Sequence, residues 1–219
     1  MRKATTVLAV AVMIGSLTML ARQAISQSKD GARESKPSSP DQMQEMMAKW
    51  TKVARPGPHH KHLDPFVGKW NTVTKMWWGG PGTPASETKG TAEVKWVLDG
   101  RFIMEEMTGE IMMPGPEGQM RPVPYEGLGL TGYDNFKNMY ISTWCDNQNT
   151  ALHTLTGMRD PSGLFTYYGQ MDEPMMDVYG KTVKTVTRIV DEDTHVFEMY
   201  DLHAGDDYKV MEIAYKRFE

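Results

Sequence analysis

The sequence predicts an all-β protein: a single antiparallel up-and-down barrel of about ten strands, entered through one short amphipathic helix. Three observations lead there. From residue 66 onward, apolar residues recur with period two in ten short runs, the spacing at which alternate side chains of a strand share a face. Turn chemistry separates the runs, as in Leu98-Asp99-Gly100, Asp134-Asn135 and Asp160-Pro161-Ser162-Gly163, with no helical pattern between them. Strands joined by tight turns pair antiparallel, because parallel neighbours need long crossovers. As an open sheet, such a meander would expose two long edges, and closure into a barrel removes both.

The N-terminal segment reads as an export signal. Arg2 and Lys3 precede an uncharged apolar run, Val7 to Leu20. Its 14 residues, at roughly 1.5 Å each, fall short of a bilayer core of about 30 Å. The run therefore fits a cleavable signal peptide over residues 1–26, with Ala24-Ile25-Ser26 offering small residues where a signal peptidase cuts. The expected location is the periplasm or the exterior, with no stable membrane anchor after cleavage. Residues 27–40, QSKDGARESKPSSP, are polar and lack apolar periodicity, as expected of a flexible linker.

The folded domain is expected over residues 41–219. Asp41 is an acceptable N-cap, and Met43, Met46, Met47 and Trp50 recur at three- and four-residue spacing, which predicts a helix over residues 41–54. Arg55-Pro56-Gly57-Pro58 ends it. Strand runs follow at 66–78, 91–98, 102–112, 126–133 and 138–146, then at 151–158, 164–171, 181–190, 195–202 and 208–217.

Composition narrows the function. The chain of 219 residues carries 24 Lys and Arg against 28 Asp and Glu. Residues 1–26 hold three of those bases (Arg2, Lys3, Arg22) and no acids, so cleavage leaves 21 bases, 28 acids and a formal charge of −7. Phosphate backbones are held by Lys and Arg displacing counterions, so nucleic acid is not an expected partner. Cys145 is the only cysteine and reads as a small buried hydrophobe in a strand.

Four stretches carry a family resemblance: HKHLDPFVGKW (His60 to Trp70), YEGLGLTGYDNFKNMYISTWCD (Tyr125 to Asp146), DEDTHVFEMYD (Asp191 to Asp201) and YKVMEIAYKR (Tyr208 to Arg217). Together they resemble the bacterial domain-of-unknown-function 1579 (DUF1579) family, over about residues 41–219. The resemblance implies a calycin-like barrel, similar in outline to lipocalins, fatty-acid-binding proteins and nitrobindins, and implies no activity. In this chain Cys145 stands where the family usually has an aliphatic residue, and the MMPGPEGQMRPVP loop is longer than its counterpart.

A barrel of this size can hold one small ligand. Strand aromatics are the candidate lining: Trp78, Trp96, Tyr133, Trp144, Tyr167 and Tyr200, with Trp70 expected to plug the closed end. Charges lie within the strands at Glu105, Glu106, Arg188, Glu198 and Glu212. Adjacent Glu105 and Glu106 must face opposite ways, and Arg188 is a candidate partner for whichever points inward. Alternation alone does not say which face is inner.

No Gly-x-Ser-x-Gly, phosphate-cradling glycine loop, His-Glu-x-x-His or cysteine pair occurs, so the expected function is binding of a small, largely apolar ligand without a cofactor. One alternative is a cofactor-free enzyme using the inward Glu as acid or base, steadied by Tyr133 or Arg188. Another is copper or haem handling through His59, His60 and His62 and the Met43, Met46, Met47 group. The sequence leaves ligand and oligomeric state open.

Overall fold

The computed structural model describes residues 39–218; the expected signal peptide, and the linker as far as Ser38, lie outside the described residues. Helix α1 spans Pro40–Ala54. Its cap is Ser39 rather than Asp41: the Ser39 hydroxyl accepts from the Gln42 amide at 3.3 Å. Pro40 then takes the first helical position, where a missing N–H costs nothing. None of the helix's side chains is buried, and the Met43, Met46, Met47 and Trp50 stripe is exposed.

Beyond the Pro-Gly-Pro breaker, a one-turn helix α2 (Pro58–Lys61) and a 3₁₀ turn (Asp64–Phe66) lead into ten strands. These are β1 Gly68–Met76, β2 Ser86–Val97, β3 Phe102–Pro114, β4 Met120–Asp134 and β5 Met139–Asp146. They continue as β6 His153–Arg159, β7 Phe165–Glu173, β8 Val178–Asp191, β9 Thr194–Asp201 and β10 Lys209–Arg217. Each strand pairs antiparallel with its sequence neighbours, and β10 pairs with β1 to close the barrel. Every strand of the sheet thus has a neighbour on both sides over at least part of its length.

One end is sealed by its own sequence. Trp70 is 1% exposed and donates from its indole Nε1 to the Phe66 carbonyl at 2.8 Å. The Arg217 guanidinium lies 4.1 Å over the Trp70 ring and donates to the Val67 and Pro65 carbonyls at 2.9 and 3.1 Å. Gly68 has φ +146°, and a Cβ there would run into that guanidinium, so glycine is required. Leu63 and Phe66 enter this end from the 3₁₀ turn as fully and nearly buried plugs.

The long β3–β4 connection is more ordered than its sequence suggests. The MMPGPEGQMRPVP stretch forms a hairpin turned at residues 115–119, with Met112 opposite Pro122 and Glu110 opposite Pro124. Beyond Gly109, β3 no longer pairs with β2, and before Gly127, β4 does not pair with β5. The two prolines thus lie where β4 has a ladder partner on one side only, the place where a missing N–H is tolerated.

Candidate functional site

Alternation fixes what the barrel interior holds. In β3 the buried Ile103 and Met107 share parity with Glu105. Glu105 therefore points inward, and Glu106 points outward to pair with Lys95 at 2.7 Å. The same parity sends Tyr125, Trp144, Tyr167, His195, Phe197 and Tyr215 inward. They wall a cavity of about 270 Å³, floored by Leu63 and Phe66 and reaching Asp146, Asn149 and His153 beside the β5–β6 loop.

Trp144 lies flat on β4 because its partner strand is cut away beneath it. Gly129 is its direct partner, and a Cβ on Gly129 would stand 2.8 Å from the indole, with one on Gly127 closer still. Laid against these glycines, Trp144 donates from Nε1 to the Tyr125 hydroxyl at 2.9 Å. That hydroxyl donates in turn to Asp146 Oδ2 at 3.4 Å. Burial, then the Asp146 charge, pushes the Tyr125 phenol well above its ordinary range.

Glu105 is the other polar group of the wall. Tyr215 donates to Glu105 Oε1 at 3.0 Å. Protein encloses the Glu105 side chain all round, so the surface it keeps is cavity surface. Burial raises its pKa from 4.5 to about 7, against the smaller opposing effect of the Tyr215 hydrogen bond. Tyr215 stacks on His195 with ring centroids 4.2 Å apart. His195 is 5% exposed, and its Nδ1 has no hydrogen-bond partner among the described residues. Burial, then the Arg217 charge, lowers its pKa to about 3 and keeps it neutral.

The eight candidate residues fall into three groups. Glu105, Trp144 and Tyr167 line the cavity together. Trp96 and Tyr133 pack against the barrel core without lining the cavity: Trp96 donates to Asp64 Oδ1 at 3.0 Å, and Tyr133 stacks on His59 at 4.3 Å. Arg188, Tyr200 and Trp78 lie elsewhere. Arg188 follows the inward Thr187 and is exposed on the outer face, so it cannot partner Glu105; Tyr215 takes that place. Tyr200 is likewise outward, with the Lys184 ammonium 4.4 Å over its ring. Trp78 falls in the β1–β2 turn, because β1 ends at Met76. Glu198 and Glu212 face outward and share Lys209 at 2.9 and 2.6 Å.

Two further sequence expectations change. Cys145 is half-buried on the outer face opposite Leu128 rather than buried, since its neighbour Trp144 takes the inward position. The histidine trio serves the closed end. His60 Nδ1 accepts from the Gly57 amide at 3.0 Å, His62 Nδ1 meets the Tyr140 hydroxyl at 2.8 Å, and His59 stacks on Tyr133. Among the described residues, no three or more His, Cys, Asp or Glu side chains gather as a metal site. Tyr125, His195 and Tyr215 also line the cavity, although nothing in the sequence marks them out. Parity links Tyr215 to Ile213 and His195 to Phe197, but it places them inside only once the inner face is known.

No curated protein matches the chain. Among solved structures, a redesigned beta barrel is similar at 11% identity with a TM-score of 0.34, over 72% of this chain and 96% of that one. The profile of the family described as "Protein of unknown function (DUF1579)" matches residues 55–217. That span runs from the start of the closed end to the last residue of β10, and the chain belongs to this family.

Proposed function

We propose that this is an exported protein that binds a small, largely apolar molecule inside its barrel, as a carrier, scavenger or sensor. The observation that carries the reading is the cavity of about 270 Å³, walled by aromatic and aliphatic side chains with a few convergent polar groups. Ligand pockets have that composition and start near 300 Å³, which points to a small guest. The export part rests on Arg2, Lys3 and the short apolar run from Val7 to Leu20.

Native mass spectrometry of the protein purified without denaturation tests the binding reading. The expected result is a reproducible added mass, or uptake of the neutral dye Nile red with a blue-shifted rise in emission. A bare mass together with no dye uptake overturns it. For export, the full chain expressed in a bacterium is expected outside the cytoplasm with its N-terminus near Gln27. Cytoplasmic chains that keep residues 1–26 would refute that part.

One observation favours a second reading, proton-transfer catalysis. A carboxyl held near pKa 7 inside a cavity is suited to act as general acid or base at neutral pH, with Tyr215 steadying the ionised form. Carbon-13 titration of the glutamate carboxyls checks it. One midpoint near neutrality is expected, and ordinary midpoints throughout would remove its support.

A further inference from the structure

The cavity's charged groups all have one sign. Glu105 and Asp146 are in its wall, and among the described residues no Lys or Arg lines it. Two cations come close: Arg217, behind Trp70, and Arg159, whose guanidinium lies 5.7 Å over the Phe165 ring, but neither lines the cavity. Of the two lining histidines, His195 is held neutral by burial, and His153 stands at the far rim, on the first residue of β6. A guest with a carboxylate or phosphate head would enter a site without a cation to meet it.

The two carboxyls differ in what they have left to offer. Asp146 is occupied: Oδ1 accepts from the Gln148 amide at 3.0 Å and from the Asn149 side chain at 3.4 Å, and Oδ2 accepts from Tyr125. Glu105 has a single partner among the described residues, the Tyr215 hydroxyl on Oε1, so Oε2 is an acceptor left unmet by protein on a side chain that lines the cavity. The same cavity is walled by the rings of Tyr125, Trp144, Tyr167, Phe197 and Tyr215. The faces of aromatic rings are negative and attract cations.

We propose that the cavity takes an amine: an aromatic or aliphatic body of small size carrying a protonated primary amino group, with the ammonium on Glu105 Oε2 and the body against Trp144, Tyr167 and Phe197. This rests on the ligand-binding reading above and names its ligand class. An isolated buried carboxylate carries a desolvation cost, which a charged partner within hydrogen-bonding reach offsets. A hydrogen bond to a charged group is stronger than one between neutral groups, so the head group decides the ranking of guests that share one body.

The test uses three guests with a common body, 4-phenylbutylamine, 4-phenylbutanol and 4-phenylbutyrate, titrated calorimetrically into the wild-type protein at pH 8. The expected order is amine, alcohol, carboxylate, with the amine about tenfold tighter than the alcohol. In Glu105→Gln the amine is expected to lose that advantage while the alcohol keeps its affinity within about threefold. The wild-type ranking stands without the variant if Glu105→Gln fails to fold. Equal binding of amine and alcohol, or tightest binding by the carboxylate, overturns the amine assignment and leaves the cavity reading intact. Failure of all three guests and of Nile red to bind overturns both.

Discussion

Two residues inside the barrel place opposite demands on pH. Glu105 has its folded pKa raised from 4.5 to about 7 by burial. The folded state therefore binds the proton more tightly, and its stabilisation, complete below pH 4.5, is lost as pH rises towards 7. At about 1.4 kcal/mol per pK unit, the loss is on the order of 3 kcal/mol. His195 has the reverse sign. Its folded pKa is lowered from 6.5 to about 3, so stability is lost as pH falls from 6.5 towards 3. Urea denaturation across pH separates the two. Glu105→Gln is expected to flatten the decline between pH 4.5 and 7 and leave the acid limb unchanged. His195→Phe keeps a ring against Tyr215, Trp70 and Phe66 and removes the acid-labile nitrogen, so it is expected to hold its stability at pH 4 better than the wild type. An unchanged acid limb in that variant would count against His195 as its origin.

Among the elements, β4 and β5 act as one device for aiming Trp144. Neither Gly127 nor Gly129 has a positive φ, so both are glycine for the space that the indole fills. Gly129→Ala is expected to cost about 1–3 kcal/mol through overpacking and to push Trp144 off Tyr125. The accompanying sign is a changed near-ultraviolet circular dichroism band; a stable variant with the wild-type band would refute the steric role. The β3–β4 hairpin beyond Gly109 has the opposite character, because its outer part pairs only with itself. Replacing residues 113–121 with a two-residue turn is expected to leave the melting temperature within about 2 °C of the wild type, since exposed hairpin tips tolerate change. These elements also show how much sequence could convey. All ten strand runs are visible from their period and turns, whereas the proline-bearing hairpin looks like a loop in sequence, because Pro122 and Pro124 argue against a strand until the single partner is known.

At the scale of the molecule, the β1–β10 pairing that closes the barrel is reinforced at one end by a latch. Arg217, in the last strand, reaches back to the Val67 and Pro65 carbonyls and covers Trp70 in the first strand, joining the start of the barrel to its end. Arg217→Ala is expected to lower the unfolding free energy by about 1–3 kcal/mol, as loss of partly buried hydrogen bonds from a charged group does, with cooperative melting preserved. A change below about 0.5 kcal/mol by urea denaturation would mean that the closed end is held by packing of Leu63, Phe66 and Trp70 alone.

The sequence by itself determined the strand count, the antiparallel meander, the entry helix and the family motifs, because each of these is written in local periodicity and turn chemistry. It also showed that one of Glu105 and Glu106 must face inward. Only the tertiary structure decided which one, since a period of two gives two faces and no label for the inner. Closure supplied that label by burying Ile103 and Met107. It likewise brought Tyr215 to Glu105 across 110 positions of sequence and left Arg188 outside. Pairings of that span depend on strand order and register around the whole barrel, and no local pattern in the chain encodes them.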